Sequence, residues 1–113
     1  MKIVVLYENK KNRSELAEEL TKLGHTVETC TSSSDFLEAA DAGSIDHLVV
    51  DVKSWFRGTA MYNYFDIASK LTETPVVFFD APEGFAGIDN RPALATDIII
   101  QDRSIDAIVA ALS

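Results

Sequence analysis

The chain has 113 residues, 47% of them hydrophobic and 25% charged, which suits one domain with its own core but not two. Its formal net charge of −8 disfavours direct binding to nucleic acid, because such binding depends on Lys and Arg side chains that neutralise phosphates. No apolar run approaches the roughly 20 residues that span a bilayer, and no signal peptide is recognisable, so no membrane partner is expected.

Cys30 is the only cysteine in the sequence, so it has no partner for an internal disulfide. An unpaired cysteine is typical of proteins in a reducing compartment, and we therefore expect a cytoplasmic protein. No His or basic residue lies near this thiol in sequence, and we assign it a place in the core without reactivity.

Five short apolar runs are rich in β-branched or aromatic residues and predict strands at residues 3–7, 26–30, 47–50, 76–79 and 98–100. Most of these runs are continuous rather than alternating, as in parallel strands that are buried on both faces. The stretches between them are long enough for crossover helices. This order of elements predicts one three-layer, doubly wound α/β domain over residues 1–113, with a parallel five-stranded sheet.

The first helix is predicted from its apolar stripe, which includes Leu16 and Leu20. Gly24 should end this helix, and either Asn12 or Ser14 should cap its start. A second helix is predicted over residues 35–42 and a third over about residues 59–71.

The fourth crossover differs from the others because residues 81–95 contain two prolines and two glycines. These residues oppose a regular helix, so we expect a degenerate fourth helix with at most one or two turns. The last helix is predicted over residues 104–112, with Asp102 or Ser104 as its N-cap.

Carboxylates follow the predicted strands at one edge of the sheet: Glu8 after strand one, Asp51 after strand three, Asp80 after strand four and Asp102 after strand five. In doubly wound sheets, ligands and reactive groups gather beyond the carboxyl ends of the strands. We therefore expect an acidic site at this edge.

Such a site can balance its charge in several ways, and the sequence leaves them open. A divalent cation such as Mg²⁺ can bind, one carboxyl group can stay protonated, or an amine of Lys10, Lys11 or Lys53 can reach over the acids. Alternatively, the carboxylates simply face the solvent.

Several segments have a pattern known from one family. They are the Leu-Thr-Lys-Leu-Gly-His-Thr-Val segment at residues 20–27, the strand that ends in Asp51, the strand led by Pro75, and the Ala-Thr-Asp-Ile segment at residues 95–98. Together with the order of elements, they resemble a response-regulator receiver domain over nearly the whole chain. The resemblance implies a CheY-like fold with strand order 2-1-3-4-5 and a role in bacterial signal transduction or transcription regulation.

The resemblance also implies roles for residues at the acidic edge. Asp51 matches the aspartate that accepts a phosphoryl group, and Glu8 matches one of two acids that bind Mg²⁺. Tyr7 stands where the family has the other acid. The predicted metal ligands are therefore Glu8 and Asp51. We expect that Mg²⁺ can bind there but that the protein requires no cofactor.

Three further positions of the switch depart from the family pattern. Asp80 replaces a Ser or Thr, Gln101 replaces a Lys, and Ile98 replaces an aromatic residue that moves with the hydroxyl residue upon phosphorylation. Two charges about 5 Å apart at an effective dielectric near 20 interact by roughly 3 kcal/mol, so Asp80 should repel a phosphoryl group at Asp51. The sequence thus predicts a pseudo-receiver, not an enzyme, that signals by protein binding without phosphorylation.

Two alternatives remain open at this stage. One is a phosphorylatable receiver that uses Asp51 with a divalent metal, and the other is a sensor of a small ligand or metal ion in the same cleft.

Three aromatic residues are candidates for partner binding. Trp55 and Phe56 fall in the predicted loop after Asp51, and Phe85 falls in the loop after strand four. Exposed aromatic residues are enriched in interface hot spots, but these rings also suit a local core that covers the sheet end. The expected partners are another protein, a linked effector domain or a second copy of the chain as a homodimer.

Overall fold

A five-stranded parallel sheet forms the centre of the computed structural model, which describes residues 1–31, 35, 38–39, 45–55, 74–87 and 94–112. The strands are β1 (Lys2–Leu6), β2 (Thr26–Cys30), β3 (His47–Asp51), β4 (Val76–Phe79) and β5 (Ile98–Ile99). Their order in the sheet is β2-β1-β3-β4-β5. The predicted doubly wound α/β fold and strand order are therefore confirmed.

The strand bounds differ from the predicted ones by a residue at several ends. β3 extends to Asp51, which pairs with Phe79 of β4. β5 stops at Ile99, although the N–H of Ile100 still donates to the carbonyl of Phe78 at 2.8 Å. β5 lies at one edge of the sheet and pairs with β4 only.

The sheet is buried on both faces because successive side chains of each strand point to opposite sides. On β1, Val4 and Leu6 belong to one hydrophobic cluster, whereas Ile3 and Val5 belong to the other. All four side chains are fully buried. This explains why the apolar runs in the sequence are continuous rather than alternating.

The first helix, α1 (Lys10–Lys22), begins earlier than the sequence suggested. Its N-cap is Asn9, whose Oδ1 accepts a hydrogen bond from the N–H of Asn12 at 3.0 Å. The prediction of Asn12 or Ser14 as the cap is wrong, because the chain turns into the helix within three residues of the end of β1. At the other end, Gly24 adopts a φ of 92° just past the C-cap, as predicted.

A single helical turn, α2 (Val52–Trp55), directly follows β3 where the sequence predicted a loop. Val52 is buried in the hydrophobic cluster that contains Val4 and Leu6, and this contact holds the turn against the sheet. Trp55 is therefore the last residue of a helical turn rather than part of a loop, while Phe56 lies outside the described residues.

The last helix is α3 (Ile105–Leu112). Both of its predicted capping residues are used. The Oγ of Ser104 accepts from the N–H of Ala107 at 3.2 Å, and the Oδ1 of Asp102 accepts from the N–H of Ser104 at 2.8 Å. Ile108 is fully buried against the sheet.

Two of the remaining predicted helices fall largely or wholly outside the described residues. Of residues 35–42, Asp35, Glu38 and Ala39 are described and helical, and the helix predicted over residues 59–71 is not described at all. In the fourth crossover, residues 81–87 and 94–95 contain no helix. Within the described ranges, no helix is long and apolar enough to cross a membrane.

Candidate functional site

A cleft of about 410 Å³ lies beyond the carboxyl ends of β1, β3 and β4. The side chains that line it are mostly polar and follow the ends of strands. Among the described residues they are Tyr7, Glu8, Asn9, Asn12, Asp51, Lys53, Asp80 and Arg103. A neighbouring cleft of about 440 Å³ shares Tyr7, Asn12 and Arg103 and continues toward the start of α3. The first of these clefts is the candidate site.

Asp51 is the one buried charged residue in the described part of the chain, with 6% of its surface exposed. It is the last residue of β3, at the end of a fully buried apolar run, and β3 is flanked by β1 and β4. A strand in the middle of a sheet therefore carries this carboxylate to the floor of the cleft.

Asp80 and Lys53 form an ion pair across the cleft, with the Lys53 Nζ 3.2 Å from the Asp80 Oδ2. The side chain of Asp80 is 20% exposed, and that of Lys53 is 58% exposed. Of the three lysines considered from the sequence, Lys53 is the one that lines the cleft, whereas Lys10 and Lys11 are exposed on α1.

The backbone of Asp80 is left-handed, with a φ of 53°. Asp and Asn tolerate this conformation better than other residues with a Cβ, and β-branched residues tolerate it poorly. In this conformation, directly after the end of β4, Asp80 makes its ion pair with Lys53.

Tyr7 lies on the wall between the two clefts and is only 6% exposed. Its ring packs edge-to-face on Phe79 with the ring centroids 4.8 Å apart. Burial, together with the negative charges of Asp51 and Asp80, raises the pKa of the Tyr7 phenol. Where the resemblance implies a second acid, the cleft therefore contains a neutral, bulky side chain.

Arg103 is a cation of the cleft that sequence reasoning missed. Gln101, which stands at the expected lysine position, is exposed, and of the residues that follow β5 it is Arg103 that reaches the cleft. The only signal in the sequence is a basic residue two positions after Gln101. Ile98, at the position of the family's mobile aromatic residue, is half-buried and packs against the core.

Glu8 is exposed at the rim of the cleft, in the loop between β1 and α1. Arg13 holds this loop, because its Nη1 donates to the carbonyl of Tyr7 at 3.1 Å and to the carbonyl of Glu8 at 3.0 Å. Arg13 therefore supports the backbone of the site, and the cations that line the cleft are Lys53 and Arg103.

The donor set does not fit a divalent metal ion well. Glu8 and Asp51, the predicted Mg²⁺ ligands, both line the cleft, but Glu8 is exposed at its rim and Asp80 is paired with Lys53. Among the residues that the structure describes, no group of three or more His, Cys, Asp or Glu side chains is arranged to hold a metal ion. We therefore derive no chemical step through a metal.

The predicted partner-binding aromatic residues lie in different surroundings. Phe85 is half-buried, and its ring packs edge-to-face on Phe78 with centroids 5.4 Å apart. This contact gives Phe85 a role in the local core. Trp55 ends α2, two residues after Lys53. Partner binding by these residues stays a prediction.

Cys30 is buried at the end of β2. Its burial, with smaller effects from Glu28 and Asp35, raises the pKa of the Cys30 thiol to about 11. The thiol is therefore protonated at neutral pH and a poor nucleophile.

No protein-family model matches the chain, and no curated protein is significantly similar to it. Solved structures are similar in fold. The N-terminal domain of a three-domain response regulator/sensory box/GGDEF protein from Carboxydothermus hydrogenoformans is 19% identical, with a TM-score of 0.72 over 99% of this chain and 90% of that one.

Two other similar structures come from signalling proteins. A response regulator from Burkholderia pseudomallei, solved with a phosphorylated aspartic acid, a calcium ion and citrate, is 17% identical with a TM-score of 0.69, over 99% of this chain and 66% of that chain. A chain in the complex of histidine kinase ThkA with response regulator TrrA is 15% identical with a TM-score of 0.69, over 99% of this chain and 98% of that one. The chain therefore has the fold of response-regulator receiver domains.

Proposed function

We propose that this chain is a pseudo-receiver, a signalling domain that binds a protein partner without being phosphorylated. The receiver fold supports a role in signal transduction, since the similar structures belong to response regulators. The contact between Lys53 and Asp80 is the observation that supports the absence of phosphorylation.

An aspartyl phosphate needs hydrogen-bond donors and cations that hold its added negative charge. In this cleft, the amine of Lys53 is already engaged by the carboxylate of Asp80 at 3.2 Å. A phosphoryl group on Asp51 would have to compete with Asp80 for this amine and would be repelled by Asp80 at the same time. Arg103 is the remaining described cation of the cleft, and it is exposed to solvent, which weakens its attraction.

The charges of the whole cleft also oppose phosphorylation of Asp51. Its described lining contains the carboxylates Glu8, Asp51 and Asp80 against the cations Lys53 and Arg103. A phosphoryl group carries a charge of about −1.5 to −2 near neutral pH. Phosphorylation of Asp51 would therefore increase an existing negative excess in a site whose floor is buried.

The test is incubation with Mg²⁺ and acetyl phosphate, followed by intact mass spectrometry. We expect no adduct with the mass of a phosphoryl group on the wild-type chain. A hydroxylamine-labile adduct that disappears in Asp51→Asn would disprove the proposal and favour the alternative of a phosphorylatable receiver.

The Asp80→Asn variant tests whether charge is the reason. Asn also tolerates the left-handed backbone at this position, so the variant removes the charge and releases Lys53 with little change of shape. We expect this variant to accept more phosphate than the wild-type chain. The matched control is Glu18→Gln, which removes one acid from the exposed face of α1 and should leave phosphorylation unchanged.

A further inference from the structure

Asp80 joins the loops that follow three different strands. Its carboxylate pairs with Lys53, in the helical turn after β3, at 3.2 Å. Its backbone N–H donates to the carbonyl of Asp102, in the loop after β5, at 3.2 Å. The N–H of the next residue, Ala81, donates to the carbonyl of Ile100 at 3.1 Å. The segment after β4 is therefore held by contacts with the segments that follow its two neighbouring strands, β3 and β5.

The contacts continue from Asp102 into α3. The Oδ1 of Asp102 accepts from the N–H of Ser104 at 2.8 Å, and the Oγ of Ser104 accepts from the N–H of Ala107 at 3.2 Å. These two bonds cap the start of the helix, where the first N–H groups have no partner within the helix. An unbroken series of contacts thus runs from Lys53 to the first turn of α3.

The geometry of Asp80 makes it suited to this role. Its backbone is left-handed, with a φ of 53°, and its side chain and its N–H contact segments that follow different strands. Only 20% of its side chain is exposed, so its ion pair is less screened by solvent than a pair between two fully exposed groups.

We infer that Asp80 acts as a brace that couples the position of Lys53 to the N-terminal turn of α3. An anionic group of a partner that draws Lys53 away from Asp80 would therefore loosen the cap of α3. The inference goes beyond the proposed function and does not depend on whether Asp51 accepts phosphate.

Amide hydrogen exchange, followed residue by residue by NMR, tests this coupling. In Asp80→Asn and in Lys53→Gln, the amides of Ser104 and Ala107 should exchange about two- to fivefold faster, the range expected when an ion pair of this exposure is lost. Lys53→Arg keeps the positive charge, so the amides of Ser104 and Ala107 should exchange at about the wild-type rate in this variant. The double variant should show no more than the larger single effect, because both substitutions break the same pair.

Two controls separate coupling from other causes. Lys10→Gln removes an exposed lysine of α1 and should leave Ser104 unchanged. Core amides such as that of Val5 exchange through global unfolding and therefore measure the loss of overall stability in each variant, whereas the amide of Leu23 at the end of α1 opens locally and should keep its wild-type rate. If exchange changes only next to Lys53 and Asp80 while Ser104 and Ala107 keep their protection, the brace is disproved, whatever the outcome of the phosphorylation experiment.

Discussion

The ring of Tyr7 packs edge-to-face on Phe79, with centroids 4.8 Å apart and ring planes inclined at 66°. Tyr7 follows the end of β1 and Phe79 ends β4, while β3, which ends in Asp51, lies between them in the sheet. The aromatic pair therefore connects the two strands that flank Asp51 and anchors the hydrophobic side of the candidate site.

Removing the Tyr7 ring should destabilise the domain. Tyr7→Ala deletes a buried aromatic side chain and leaves a cavity beside Phe79, so we expect a loss of about 3 kcal/mol in the free energy of unfolding. Tyr7→Phe keeps the ring and should cost less than about 1.5 kcal/mol. Urea unfolding followed by circular dichroism measures both values, and equal losses in the two variants would show that the hydroxyl, rather than the ring, matters.

Asp97 should stabilise the start of β4. Its Oδ1 accepts from the N–H of Val76 at 3.0 Å, and its Oδ2 accepts from the N–H of Leu94 at 2.9 Å. Hydrogen bonds to charged groups contribute about 1.5–3 kcal/mol each, so Asp97→Ala should lower the free energy of unfolding by about 2 kcal/mol or more. Asp97→Asn keeps one acceptor oxygen, so its free energy of unfolding should lie between those of the wild type and Asp97→Ala. An Ala variant as stable as the wild type would contradict this role.

His47 should make the stability depend on pH. Burial lowers the pKa of His47 below its ordinary value of 6.5, despite the opposing charges of Asp97 and Asp46, and its Nε2 is buried without a hydrogen bond among the described residues. Since the unfolded chain binds the proton more readily, the stabilisation is complete above about pH 6.5 and decreases as the pH falls through the folded-state pKa.

The measurement for His47 is urea unfolding at several pH values between neutral and about pH 5. His47→Gln should flatten the decrease in stability below the pKa of free histidine. His25→Gln serves as the control, because His25 precedes β2, which is separated from β3 by β1, and this variant should retain the decrease that His47 causes. A wild-type curve that is flat, or that rises toward acid, would refute the prediction.

The start of α1 can be tested by its caps. Asn9→Ala removes the Oδ1 that accepts from the N–H of Asn12 and should cost about 1 kcal/mol. Ser14→Ala lies within the helix on an exposed face and should change stability by less than about 0.5 kcal/mol. The opposite ranking in chemical unfolding would mean that the helix begins near Ser14.

Much of the fold could be read from local patterns. Continuous apolar runs separated by crossover-length segments predicted a parallel sheet, because only strands that are covered on both faces bury every side chain in a run. Gly24 and Ser104 were correctly predicted at helix ends, since both act through hydrogen bonds or backbone angles that involve residues close in sequence. The position of Asp51 at a strand end was predicted because it directly follows a short apolar run.

The charge balance of the candidate site was decided by the tertiary structure alone. The sequence placed acids at one edge of the sheet but left three lysines as candidate counter-charges and did not indicate Arg103. Lys53 meets Asp80 because β3 and β4, the strands that they follow, are neighbours in the sheet. Such a contact joins residues far apart in the chain, and neither hydrophobic periodicity nor capping preferences carry information about it, since both depend on neighbours only a few residues away.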